Sequence, residues 1–277
     1  MIRAGCHIAR HLLLLGLLIA GCSGPAGEPS STATSRESHT AKPMNLVLVS
    51  LDTLRADRLG CYGCPMPISP FLDALSCRAV QAEDVLAQNP STIRSHRAIF
   101  TGRYIYQHQP GPPAPEITLA GRLAAAGYAT AAYTDGGLMH ARYGNDPGFQ
   151  VYNDEGGGFA PVIAGGLDWL DGRDGETPFF MFLHTYDIHY PYTPPEPFAD
   201  MFLPGDDPPY HLGADHGQDY WNGLGLSRDE FIWISRRYDG GVRAADRDMM
   251  RLWMALRDRD RLDDTVVIVV SDHGESL

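Results

Sequence analysis

Basic residues are scarce in this chain. Lysine and arginine number 22 against 34 aspartates and glutamates, for a formal net charge of −12 over 277 residues. General nucleic-acid binding rests on neutralising phosphates and is not expected of such a chain, although a local cationic pocket for a small anion remains open. Cysteine is sparse as well, with five in all. Cys61 and Cys64 form a C-x-x-C, but no second C-x-x-C or histidine pair stands near it, so a structural zinc site is not expected. Two buried thiols or one small local disulfide are the remaining readings. No internal repeat is present. No acid occurs before Glu28, and the run Leu12–Leu18 is too short to span a bilayer comfortably as a mature helix.

What the N-terminus does contain is a positive start, Arg3 and Arg10, then that apolar run, then "IAGC" ending at Cys22. The pattern reads as an export signal. Its last four residues resemble the lipobox of bacterial lipoproteins, which implies cleavage before Cys22 and lipidation of that cysteine. The expected organisation is a signal peptide over 1–21, a Pro/Gly/Ser/Thr-rich tether over 22–43 that cannot bury enough surface to fold, and a catalytic domain over 44–277. Attachment to a membrane of the bacterial envelope would come from acyl chains. The domain would face the periplasm or another extracytoplasmic space. Oligomeric state is left open.

Hydrophobic residues make up 44% of the chain, enough for a substantial core. Asn45–Ser50, "NLVLVS", is a continuous β-prone apolar run, as expected of a strand covered on both faces. Tyr128–Thr134, Phe179–Leu183 and Thr265–Val270 read as further strands. Helices are expected over Phe71–Ala79, over Thr118–Ala126 before Gly127, and from a capping box at Ser227 and Glu230 to Asp258. Gly240 and Gly241 predict a break or bend inside the last of these. Strands alternating with helices predict an α/β fold with a mainly parallel sheet.

Ligands of such sheets gather at the carboxyl ends of the strands. Three strands here run into chemistry: the first into Asp52 and Thr53, the third into His184, Asp187 and His189, the last into Asp272 and His273. Asp52, Asp272 and His273 together would make a mixed oxygen and nitrogen ligand set for a divalent cation.

Four blocks, "NLVLVSLDTLRADRLGCYG", "TIRSHRAIFTGRYIYQH", "FFMFLHTYDIHYPYTPPEPF" and "YDGGVRAADRDMMRLWMALRDRDRLDDTVVIVVSDHGE", resemble the sulfatase family of the alkaline phosphatase superfamily in order and spacing. The resemblance covers residues 44–277. It implies a three-layer α/β/α sandwich with a metal-bound nucleophile at the start of a helix. It makes Asp52 and Asp272 metal-binding carboxylates. Thr53 stands where many relatives carry a second such Asp, and His273 where calcium-type members usually carry Asn. One divalent ion is implied, calcium or, given the imidazole, zinc or manganese.

The family signature C/S-x-P-S-R reads Thr92-Ile93-Arg94-Ser95-His96 here. The cysteine and proline are absent, so no formylglycine is expected. A threonine hydroxyl bound to a cation can still attack as an alkoxide, and a helix N-terminus favours the same anion. Thr92 is thus the expected nucleophile and a further metal ligand, with Arg94 and His96 facing the anion. Ser91 is expected to be the helix N-cap. His189 matches a family histidine near the leaving group and is the expected general acid. His184 is a candidate for the anion, and Asp187 for orienting a histidine. The substrate is expected to be a small anionic ester, sulfate or phosphate. A phosphoethanolamine-type transferase and a non-catalytic envelope lipoprotein are the alternatives. The chain stops four residues after His273, before the segment that follows this strand in the family, which predicts a fragment of a longer catalytic domain.

Overall fold

The computed structural model describes residues 2–4, 43–205 and 227–277. The proposed lipidation site Cys22, the lipobox and most of the tether lie outside these residues. Five strands, all parallel, form the central sheet. They are β2 (Asn45–Leu51), β4 (Ala129–Thr134), β5 (Val151–Asn153), β6 (Phe179–Thr185) and β7 (Thr265–Val270), in the order β5-β4-β6-β2-β7. A separate two-stranded antiparallel pair joins β1 (Ile2–Ala4) to β3 (Val80–Ala82), with Ile2 opposite Ala82.

Side chains alternate across the sheet, as the pleat requires, and each face meets its own helices. Val47, Val49, Leu51, Met181 and Leu183 pack with α1 (Pro70–Ser76), α4 (Phe159–Asp171) and α5 (Arg228–Asp258). Leu48, Phe180 and Phe182 pack on the opposite face with Phe100 of α2 (Thr92–Thr101) and Ala120 of α3 (Leu119–Ala125). The expected three-layer α/β/α sandwich is the observed fold. β2 and β6 are buried along almost their whole length, which accounts for their unbroken apolar character.

Helix α5 corrects one expectation. It runs through Gly240 and Gly241 without a break for 31 residues. The glycines serve close packing instead. A Cβ on Gly240 would lie 2.4 Å from the Phe198 carbonyl oxygen, and one on Gly241 would lie 3.0 Å from the Asp187 carbonyl oxygen. The helix thereby lies directly against the loop after β6 that carries His189. Asp187 is corrected too. Its carboxylate accepts the Phe159 N–H at 3.0 Å, at the first residue of α4, and so caps a helix rather than orienting a histidine. Cys61 and Cys64 are free thiols. Burial, with Asp73 beside it, pushes the Cys61 thiol up to about 11. No described helix is long and apolar enough to cross a membrane.

Gly240→Ala should therefore lower stability by about 1–3 kcal/mol through overpacking, against the gain of roughly 1 kcal/mol that alanine brings to a helix. Urea denaturation decides this, and an unchanged or higher midpoint would show that the close approach is not needed.

Candidate active site

The strand order puts the ends of β6, β2 and β7 side by side. Ser50 is level with His184 on one neighbour and Val270 on the other. Asp52 and Asp272 therefore emerge on adjacent strands, and both are almost completely buried. Single atoms of Asp52, Asp272 and His273 lie within 4.8 Å of one another.

Each carboxylate has one oxygen tied to the protein and one left over. Asp52 Oδ2 receives His184 Nε2 at 3.1 Å, and Asp52 Oδ1 has no partner. Asp272 Oδ1 accepts the N–H groups of Thr53 (3.3 Å) and His273 (2.9 Å). Asp272 Oδ2 has no hydrogen bond, though His273 Nε2 stands 3.4 Å away. A buried oxygen without a partner costs about 1–3 kcal/mol, and two of them on carboxylates gathered within 4.8 Å of His273 fit a cation. His273 suits the role. Its Nδ1 stands 2.8 Å from the Gly274 carbonyl, which can only accept, so Nε2 keeps its lone pair free. Oxygen and imidazole donors together fit a divalent metal. Without one, burial and the neighbouring Asp272 push Asp52 up to about 7.

The backbone beneath this pair is strained. Thr53, a β-branched residue, adopts φ 58°, a region that such side chains avoid. Tyr238 of α5, fully buried, holds it there. Its hydroxyl donates to the Thr53 carbonyl and accepts the Arg55 N–H, both at 2.8 Å. Sequence reading had no signal for this clamp, because it joins positions 185 residues apart.

Helix α2 closes the site from the opposite face. Thr92 is its first residue and is buried. Ser91 occupies the N-cap position, but its side chain makes no cap hydrogen bond. Ser95 Oγ donates to the Asp272 carbonyl at 2.6 Å. His96 corrects the expectation that it faces the anion. It is fully buried, and both ring nitrogens are engaged, Nδ1 with the Thr92 carbonyl and Nε2 with Ser50 Oγ, each at 2.9 Å. Nδ1 carries the proton and donates, while Ser50 donates to Nε2. Burial holds this imidazole down to about 4, neutral at ordinary pH. His184 likewise serves Asp52 from a fully buried position rather than reaching substrate, and burial also holds it down to about 4.

Arg94 is exposed on the first turn of α2. His189 is half-buried. Its Nδ1 stands 2.6 Å from the Tyr190 carbonyl, so Nδ1 donates and Nε2 is left to hold or release a proton. Asp135, at the end of β4, was passed over in the sequence. It accepts from Gly158 (2.8 Å) and Tyr186 (3.1 Å) and ties three loops together. The signal, an acid after a buried strand, was the same as at Asp52.

The described residues thus form a parallel α/β/α sandwich with two carboxylates and an imidazole gathered at its strand ends. The sulfatase family model matches residues 44–277, and the chain belongs to that family. It is 23% identical over 304 residues to an arylsulfatase of Clostridium perfringens, an alignment covering 84% of this chain and 63% of that protein. It is 34% identical over 101 residues to human arylsulfatase A, covering 32% of this chain and 20% of that protein. The fold matches the phosphonate monoester hydrolase of Agrobacterium radiobacter with a TM-score of 0.65 at 19% identity, over 84% of this chain and 63% of that one. The chain thus spans less than two thirds of the length of these proteins.

Two outcomes are expected. Tyr238→Phe should cost about 1–3 kcal/mol and weaken cation binding, as read by thermal melting with and without manganese; equal melting curves for variant and wild type would contradict the clamp. The second concerns pH. Because the Asp52 pKa is raised, its contribution to the metal-free fold is fully present below the ordinary value of 3.8 and is lost as pH rises through about 7. A cation reverses that loss, so the rise in Tm on adding manganese should be larger at about pH 8 than at about pH 5.5. A shift that shrinks with rising pH would count against the paired carboxylates as its origin.

Proposed function

We propose that residues 44–277 carry the nucleophile and the metal centre of an extracytoplasmic hydrolase of sulfate or phosphate esters, with Thr92 as nucleophile. The supporting observation is the pair of unpartnered buried oxygens, Asp52 Oδ1 and Asp272 Oδ2, on carboxylates that gather with His273. Asp52, Asp272 and His273 would hold the ion, with Thr92 as a further ligand. A divalent cation there supplies Lewis-acid polarisation and lowers the pKa of a hydroxyl it touches.

The protein's own groups do the rest. His184 fixes Asp52 by its Oδ2, and the Thr53 and His273 N–H groups fix Asp272 by its Oδ1, so the remaining oxygens point where a cation is needed. Neutral His96 links Ser50 to the Thr92 carbonyl and sets the first turn of α2 without adding charge. Arg94, exposed on the first turn of α2, would meet the equatorial oxygens of an incoming anion. His189, with Nδ1 committed to a carbonyl, holds at Nε2 the proton that a departing alcohol takes. Threonine cannot become formylglycine, which favours direct attack by the hydroxyl and, with it, phosphate esters. The ester substrate is small and anionic. The acyl anchor at Cys22 belongs to the same proposal.

Aryl phosphate and aryl sulfate assayed side by side with calcium, manganese and zinc should show metal-dependent turnover. Thr92→Ala should lower kcat by at least about 10³-fold, and Asp272→Asn should weaken metal affinity. A fully active Thr92→Ala enzyme would remove the nucleophile assignment.

A further inference from the structure

The chain is acidic overall, with a formal net charge of −12, yet no aspartate or glutamate occurs between Asp84 and Glu116. That stretch holds helix α2 and three arginines, Arg94, Arg97 and Arg103. The helix buries Thr92, Ser95, His96, Ala98 and Phe100. Along its outer side run Arg94, exposed, then Arg97 and Thr101, half-buried, at i, i+3 and i+7. Arg103 is exposed and follows the left-handed cap at Gly102. Its backbone N–H donates to the Thr101 hydroxyl oxygen at 3.3 Å, which holds it at the end of the same stripe.

Among the described residues no carboxylate pairs with any of these three arginines. Arginines elsewhere are matched by acids, as Arg243 is by Asp246, Arg251 by Asp248 and Arg259 by Asp171. Like charges one turn apart disfavour the helix that carries them, and here no acid of the fold offsets that cost. The stripe also begins at the site. Arg94 lies two residues after Thr92, and Arg97 stands one turn further along the helix, about 5 Å away. A guanidinium fork holds a sulfate, phosphate or carboxylate group.

We propose that the outer stripe of α2 is an extended anion subsite with Arg97 as its specificity-determining residue: the ester attacked at Thr92 belongs to a linear polyanion whose next acidic group lies on Arg97 and whose following groups run toward Arg103. The inference rests on the reading of Thr92 and Arg94 as parts of the site. A substrate with one anionic group needs only the first of these arginines. The remainder of the chain is net acidic and repels a polyanion, so the stripe also sets the direction in which it lies. The arginines follow the helix axis away from the site, which suits a chain better than a flat anionic surface.

The test titrates the full chain with a fluorescein-labelled chondroitin sulfate hexasaccharide and reads fluorescence anisotropy. A Thr92→Ala background prevents turnover, so binding is read whether or not the protein hydrolyses any ester. Arg97→Gln should weaken binding about tenfold. Arg97→Lys keeps the charge without the fork and should recover part of that loss. Arg228→Gln removes the same charge from an exposed position at the start of α5 and should change binding by less than about twofold. Unlabelled N-acetylgalactosamine 4-sulfate, a single anion, should compete at least about tenfold more weakly than unlabelled hexasaccharide after correction for the number of acidic groups. Equal losses in the two Gln variants, or equal competition by the two sugars, would overturn the proposal. So would a loss at Arg97→Gln that appears with phosphatidylglycerol vesicles and not with the hexasaccharide, because the stripe would then read a membrane. If the hexasaccharide binds with the expected pattern but neither aryl phosphate nor aryl sulfate is turned over with Thr92 intact, the hydrolase reading fails and the stripe stands as a polyanion-binding surface.

Discussion

Two carboxylates buried at the ends of neighbouring parallel strands are an electrostatic problem, and the site is arranged around it. Like charges this close, out of water, disfavour ionisation of both. Among the described residues no arginine or lysine pairs with Asp52 or Asp272. Among their partners are His184 and His96, both held neutral by burial, and backbone N–H groups. Those partners fix direction and supply dipoles, but no full positive charge. A divalent cation held there, as proposed above, would supply that counter-charge beside the two unpartnered oxygens.

The surrounding fold can be read as what it takes to hold that pair. The parallel sheet aligns the strand ends. The pleat sends Ser50 and His184 toward α2, where His96 meets them. On the other face α5 reaches across with Tyr238 to keep Thr53 in a conformation it would not adopt alone. The close contact of α5 with the loop after β6, permitted by Gly240 and Gly241, places His189 beside the same centre. Strain at Thr53 and orphaned oxygens at Asp52 and Asp272 meet at one site, as expected where a structure gives up stability for function.

Much of this was legible in the sequence, for physical reasons. Buried parallel strands must be apolar on both faces, so β2 and β6 announce themselves; β7 carries an equally apolar run although Val266 and Ile268 are exposed, and the polar residues that follow all three stand out. That is why Asp52, Asp272 and His273 could be grouped before any coordinates. What was not legible depends on distant contacts. Gly240 and Gly241 look like helix breakers until the Phe198 and Asp187 carbonyls are seen beside them. Asp187 looks like a partner for its neighbouring histidines until the N-terminus of α4 arrives 28 residues away in sequence. Helix α4 itself, with Pro161, Gly165 and Gly166 inside it, carries weak local signals and is held by packing on the sheet. Local pattern likewise marked His96 as an anion ligand, and only the tertiary structure shows both of its nitrogens already engaged.

The most direct test of this account is anomalous X-ray diffraction from crystals grown with manganese or zinc. The account predicts one strong anomalous peak bounded by Asp52 Oδ1, Asp272 Oδ2 and His273 Nε2, within bonding distance of the Thr92 hydroxyl. An empty space between the two carboxylates at saturating metal, with both oxygens still unpartnered, would contradict it.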